Sequence, residues 1–176
     1  MRSQLVRTVA ALTMLLLAGA CGSDTKPETE FENFESTGGR FSADFPGEPK
    51  EETQSTTAEG LNLDIHFFTS ETDDYAVSVG YVDYPEEFKT VDPKLVLSGV
   101  AAGAAGNVQG GEVTKSEPGT FQGVDSVDYE VKADDASLQA KAFLKENRLY
   151  LLQAVSAELP DADAEYDRLV ESFRLL

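Results

Sequence analysis

The side chains best suited to chemistry are few in this 176-residue chain: one cysteine, Cys21, one histidine, His66, and 32 acidic residues against 14 basic ones. Any Cys–His or Ser–His–Asp arrangement has to use His66, and no Gly-x-Ser-x-Gly accompanies it. Strand alternation sets His66 beside Asp64 on a polar face, where a solvated ring is expected. Zinc sites use three or four ligands drawn mainly from His and Cys, and this chain offers one histidine and one cysteine. Calcium takes oxygen ligands, which are abundant. Asp161-Ala162-Asp163-Ala164-Glu165 has the spacing of an EF-hand start, but Tyr166 stands where that loop needs Gly and Ser172 where it needs a bidentate Glu. A helix start is the better reading. Asp73-Asp74 and Asp134-Asp135 fall between strands, where carboxylates favour turns. No spacing singles out a carboxylate pair for acid–base work on a sugar, and residues 103–111 lack the Lys-Ser/Thr ending of a phosphate-binding loop. The expectation is therefore no catalytic residue, no metal and no cofactor: the chain reads as a non-enzymatic protein.

Cys21 gains meaning from what precedes it. Arg2 and Arg7 form a basic head, and residues 8–20 carry no charge and end in Ala18, Gly19 and Ala20. This is the pattern of a secretory signal peptide. A spanning helix needs about 20 apolar residues, longer than this run. Leu17-Ala18-Gly19-Ala20-Cys21 resembles the lipobox of bacterial lipoprotein signal peptides, with Ala18 where Leu is commoner. The resemblance implies cleavage before Cys21, acylation of its sulfur and amine, and anchoring of the mature chain on the extracytoplasmic side of a membrane. A free thiol in an oxidising compartment with no second cysteine would be a liability, and lipidation consumes it, so that with Cys21 lipidated the chain would offer zinc one histidine and no thiol. Several buried acyl chains, at about 0.8 kcal/mol per methylene, suffice for stable anchoring.

Removing residues 1–20 takes away Arg2 and Arg7 and no acid, so a net charge of −18 becomes −20. Nucleic acid is excluded as a partner, because its binding needs concentrated Lys and Arg. An anionic lipid surface repels such a domain, leaving the lipid on Cys21 as the membrane attachment. The expected organisation is a signal peptide at 1–20, a lipidated cysteine and flexible acidic tether at 21–33 (GSDTKPETEFEN after Cys21), and one folded domain at 34–176. No disulfide can form within the chain, so the core alone must hold that domain. Its oligomeric state carries no sequence signal.

The elements that must position any site read mainly as strands. Segments 40–45, 50–58, 61–68, 124–132 and 136–145 carry strand composition, and in 61–68 Leu61, Leu63, Ile65 and Phe67 alternate with Asn62, Asp64 and His66. Segments 75–82 (YAVSVGYV) and 148–157 (RLYLLQAVSA) are apolar on both faces, as central strands covered on both sides are. Residues 93–106 predict a helix capped by Asp92-Pro93, with Leu95, Val96, Val100 and Ala104 as its apolar face. Its Gly99, Gly103 and Gly106 are expected to pack closely on the sheet. A second helix over 161–172 follows Pro160 and presents Ala162, Tyr166, Leu169, Val170 and Phe173.

Four strands, a helix, four strands and a terminal helix predict an α+β fold, an antiparallel sheet with helices packed on it. GGRFSADFPGEP at 38–49, FQGVDSVDYEV at 121–131, ENRLYLLQAV at 146–155 and LVESFRL at 169–175 are similar to the small envelope lipoprotein domains related to PsbP and to mycobacterial LpqN. The resemblance implies an α/β/α sandwich used as a binding or assembly module, with no catalytic residues to carry over. The functional expectation is a lipid-anchored envelope protein that binds an envelope protein partner or assists assembly at the membrane surface. The alternative is a carrier of a small apolar or glycolipid ligand held between helix and sheet by residues 99–106. The candidate partner-binding residues are Tyr84 and Phe88, two aromatics among three acids in a loop; the competing reading is that both merely pin that loop to the core.

Overall fold

Two antiparallel meanders lie side by side and are joined along residues 75–83 and 148–156, forming one seven-stranded sheet. The computed structural model describes residues 30–58, 60–157 and 162–176, so Cys21, the signal peptide expected at 1–20 and most of the expected tether lie outside the described residues. In chain order the strands are β1 (Glu32–Ser36), β2 (Phe41–Phe45), β3 (Lys50–Ala58), β4 (Leu61–Glu71) and β5 (Tyr75–Asp83), then a 3-10 turn (Glu86–Thr90) and helix α1 (Pro93–Gly106). There follow β6 (Glu112–Phe121), β7 (Val124–Lys132), β8 (Ser137–Lys145), β9 (Arg148–Ser156), helix α2 (Asp163–Ser172) and β10 (Arg174–Leu175). Glu32 and Asn33, assigned above to the tether, open β1. The expected α+β sandwich is the observed fold.

The large sheet runs in the order β3-β4-β5-β9-β8-β7-β6, and β1, β2 and β10 form a small second sheet. Together with α2 it covers one face of the large sheet, and α1 covers part of the other. Alternation along β5 explains this layering: Tyr75, Val77, Val79 and Tyr81 enter the core shared with β2 and α2, while Val82 joins the core under α1. Phe41, Phe45, Phe143, Leu169 and Phe173 are completely or almost completely buried in the first core. Each such side chain contributes about 1.5–3 kcal/mol on leaving water. Their rings interlock, Phe41 stacking on Phe173 at 5.5 Å and Phe143 meeting Phe173 edge-on at 5.6 Å.

Helix α2 buries the face expected of it, through Tyr166 and Leu169 with Ala162 and Phe173 at its ends. Helix α1 does so only in part: Val96, Val100 and Ala104 pack half-buried against the sheet as expected, but the most deeply buried row is Leu97, Ala101 and Ala105, spaced four apart, and Leu95 is 70% exposed. The expected close packing of Gly99, Gly103 and Gly106 is corrected: a Cβ at any of them would meet nothing within 4 Å. The alanines, small enough for close approach yet apolar, make the contact with β7 and β8 that the glycines were expected to make.

Candidate functional site

One end of the large sheet gathers the β1–β2, β6–β7 and β8–β9 turns together with the segment from Asp83 to α1. Two residues order it. Arg148 opens β9 and Asp83 closes β5, directly opposite each other in the antiparallel register. The Arg148 guanidinium donates from Nε and Nη2 to the two Asp83 carboxylate oxygens at 2.6 and 2.5 Å, and from Nη1 to the Gly38 carbonyl at 2.8 Å. It also lies over the Tyr81 ring at 4.4 Å. The Tyr150 hydroxyl donates to the Gly39 carbonyl at 2.9 Å. Gly39 is needed there, because a Cβ would come within 2.6 Å of the Phe41 ring. The hydrogen bonds from Arg148 hold the Asp83 carboxyl below its ordinary 3.8. Arg148 is only 7% exposed, so its charge is fully engaged in structure. Nothing in local sequence spacing pairs residues 65 apart; the available signal is a single charge at one end of each largely apolar strand.

The chain leaving Asp83 carries the predicted pair. Tyr84 is fastened to the β8–β9 turn, its N–H donating to the Asn147 carbonyl at 2.8 Å and its carbonyl accepting from Asn147 Nδ2 at 2.5 Å. Phe88 sits in the 3-10 turn, its N–H donating to the Pro85 carbonyl at 2.9 Å. The two rings stack at 4.7 Å with planes 15° apart. Tyr84 packs against the core under α1, and burial raises the pKa of its hydroxyl. Both residues remain half-buried. The structure thus brings Tyr84 and Phe88 together as one aromatic plate that is anchored from below and open to solvent.

Next to Phe88, Lys89 and Val91 form one wall of an open cleft of about 380 Å³, with Pro93, Val124, Leu144 and Glu146 among its other walls. Lys145 and Asp125 complete a lining of mixed charge. Lys89 is held by Glu86 at 2.6 Å. The cleft lies between the start of α1 and the turns of β6–β7 and β8–β9, away from residues 99–106 where the carrier reading placed a ligand.

His66 is more embedded than the solvated ring expected. It stacks on Tyr81 at 4.7 Å, and its Nδ1 lies 3.0 Å from Thr53 Oγ1. Asp73 and Asp74 occupy the β4–β5 turn and Asp134 and Asp135 the β7–β8 turn. Asp161 lies outside the described residues, and Asp163 and Glu165 fall in the first turn of α2, where acidic side chains complement the helix dipole. Among the described residues, no group of three or more acidic or histidine side chains is placed to hold a metal ion, and no helix is long and apolar enough to cross a membrane.

The fold belongs to a known class of α+β sandwich. The solution structure of cyanobacterial PsbP (CyanoP) from Synechocystis sp. PCC 6803 superposes with a TM-score of 0.57 at 15% sequence identity, covering 90% of this chain and 98% of that one. The chain therefore has a PsbP-like fold. A protein of unknown function from Pseudomonas aeruginosa, PA94, described as a putative regulator, matches with a TM-score of 0.43 at 11% identity over 65% of this chain and 91% of its own. No family model matches the sequence, and no curated protein matches it.

Proposed function

We propose that this is a lipid-anchored cell-envelope protein, attached through Cys21, whose sandwich domain binds an envelope protein partner at the turn-bearing end of its large sheet. The observation that carries this reading is the stacked Tyr84–Phe88 plate, fixed to the β8–β9 turn and left half open beside a cleft. Rigid aromatics offer contact area with little conformational entropy left to lose, which suits them to binding hot spots. The anchor rests on the lipobox-like residues 17–21.

A second reading draws on the cleft itself. Its volume falls in the range of small-molecule sites, and its four charged side chains suit a polar headgroup better than an apolar tail. Crosslinking and affinity capture of the intact protein from its own membrane separates the two readings. A captured protein that is lost in Phe88→Ala supports the binding module, whereas a copurifying small molecule with no protein favours the carrier. Mass spectrometry of the mature N-terminus tests the anchor: acylated Cys21 is expected, with Cys21→Ser moving the protein to the soluble fraction. An unmodified thiol would overturn the lipoprotein assignment.

A further inference from the structure

We propose that the outer edge of β3 is a docking strand that accepts an extended, Lys- or Arg-bearing segment of a partner protein as an added strand of the large sheet. The sheet has two edges, and they are treated differently. At one, β6 carries Pro118 within the strand and a register shift between Val113 and Lys115, two devices that blunt an edge against pairing. At the other, β3 runs nine residues with no proline or glycine and in unbroken register, from Lys50 opposite Thr69 to Ala58 opposite Leu61. Residues 50–57 are all exposed.

The β3 edge is also held straight before anything binds. Three cross-strand rungs on one face fix it to β4: Thr53 Oγ1 with His66 Nδ1 at 3.0 Å, Ser55 Oγ donating to Asp64 at 2.6 Å, and Thr57 Oγ1 donating to Asn62 at 3.0 Å. A strand ordered in advance spares an incoming segment part of the entropic cost of binding. Charge selects the occupant. Along residues 53–57 the edge is neutral, while Glu51 and Glu52 stand at one end with Lys50, and Asp64 and Glu71 lie on the neighbouring strand. The chain as a whole carries −18. A second copy would bring the same charge, and in parallel register it would set Glu51 against Glu51. A cationic segment meets complementary charge instead.

The test uses the full chain and two short acetylated peptides alternating Thr and Val, one with Lys at the end that meets Glu51 and Glu52, the other with Glu there. Neighbouring residues in a strand point their N–H groups to opposite edges, so of Ser55→Pro and Thr56→Pro one removes only an outward donor; the variant that keeps the native melting temperature is the one used. The Lys peptide is expected to slow amide exchange along β3 and to bind about tenfold more tightly than the Glu peptide at low salt, with binding lost in the outward proline variant. Equal binding of both peptides, or unchanged binding by that variant, would overturn the proposal. A dimer in sedimentation that the outward proline dissolves would assign the edge to a second copy instead.

Discussion

Arg148 and Asp83 face each other at the end of the β5–β9 ladder with two hydrogen bonds of 2.6 and 2.5 Å, and the same guanidinium, donating to the Gly38 carbonyl, ties the seam between the two meanders to the β1–β2 turn. Arg148 is nearly buried and Asp83 half-exposed. Removing the cation loses three hydrogen bonds and the Tyr81 stacking; removing the carboxylate leaves a buried guanidinium short of its partner. Arg148→Ala is expected to destabilise by about 3 kcal/mol and Asp83→Asn by about 1–2 kcal/mol, less because the carboxylate is solvent-screened. The sign of the pH dependence follows from the lowered Asp83 pKa. Its contribution is present above the ordinary value of 3.8 and is lost as pH falls through the lower folded value. Denaturant melts from pH 6 to 2 should therefore show a gentler acid limb in Asp83→Asn than in the parent. Parallel curves would refute the linkage.

Helix α1 supplies a test with the opposite sign. Gly99 and Gly103 lie inside the helix with open space where a Cβ would stand. Glycine costs a helix interior about 0.5–1 kcal/mol relative to alanine. Gly99→Ala and Gly103→Ala are each expected to stabilise the fold by that amount, measured as a shift in urea midpoint at constant slope. Destabilisation in either variant would show that the glycine face is packed after all.

How much of this was legible in sequence depended on whether a residue's role was local. The strand of YAVSVGYV and the buried face of α2 follow from periodicity, because each element's own pattern matches the core it meets. Of the four strands expected after the first helix, β6 is the one to which no range could be given, since EVTKSEPGTF is exposed along almost its whole length and Pro118 reads as a breaker; an edge strand tolerates what a central one does not. Strands β1 and β10 were missed for related reasons, the first being acidic and the second two residues long. The buried face of α1 keeps Val96, Val100 and Ala104 at its margin but centres on Leu97, Ala101 and Ala105 and leaves Leu95 outside, because Val and Leu outweigh Ala in an apolar pattern while close approach to β7 favours Ala101 and Ala105. At the site, Tyr84 and Phe88 were visible as aromatics in a loop. The Arg148–Asp83 pair was not, because only the strand register brings the two together.

Alkali probes the core under α1. Tyr129 is 2% exposed, and burial pushes its pKa up to about 12. In the unfolded chain the phenol ionises near 10. The buried neutral phenol therefore leaves stability intact below pH 10 and costs it progressively as pH rises towards 12, by roughly 2–3 kcal/mol in all. Tyr129→Phe should retain more of its neutral-pH stability at pH 11 than the parent retains. An equal loss in both would place the alkaline transition at another group.

The stacked pair decides what the turn-bearing end of the sheet is for. Were Tyr84 and Phe88 wholly core, truncating either would cost about 3–5 kcal/mol; were they wholly surface, the cost would stay within about 0.5 kcal/mol. The geometry predicts an ordered inequality instead. The Tyr84 ring is half-buried against the core and stacked on Phe88, while its backbone bonds to Asn147 survive truncation, so Tyr84→Ala is expected to cost about 2–3 kcal/mol. Phe88 leans on Tyr84 from a turn fastened only locally, and Phe88→Ala is expected to cost about 1 kcal/mol. Partner capture should fall in both, and most informatively in Phe88→Ala, where the fold survives. Leu is the discriminating substitution, since Phe88→Leu keeps apolar bulk but removes the stacked plane. Loss of capture with retained stability in Phe88→Leu would place the binding energy in the aromatic plate. Full capture by Phe88→Ala would remove this end of the sheet as the binding surface.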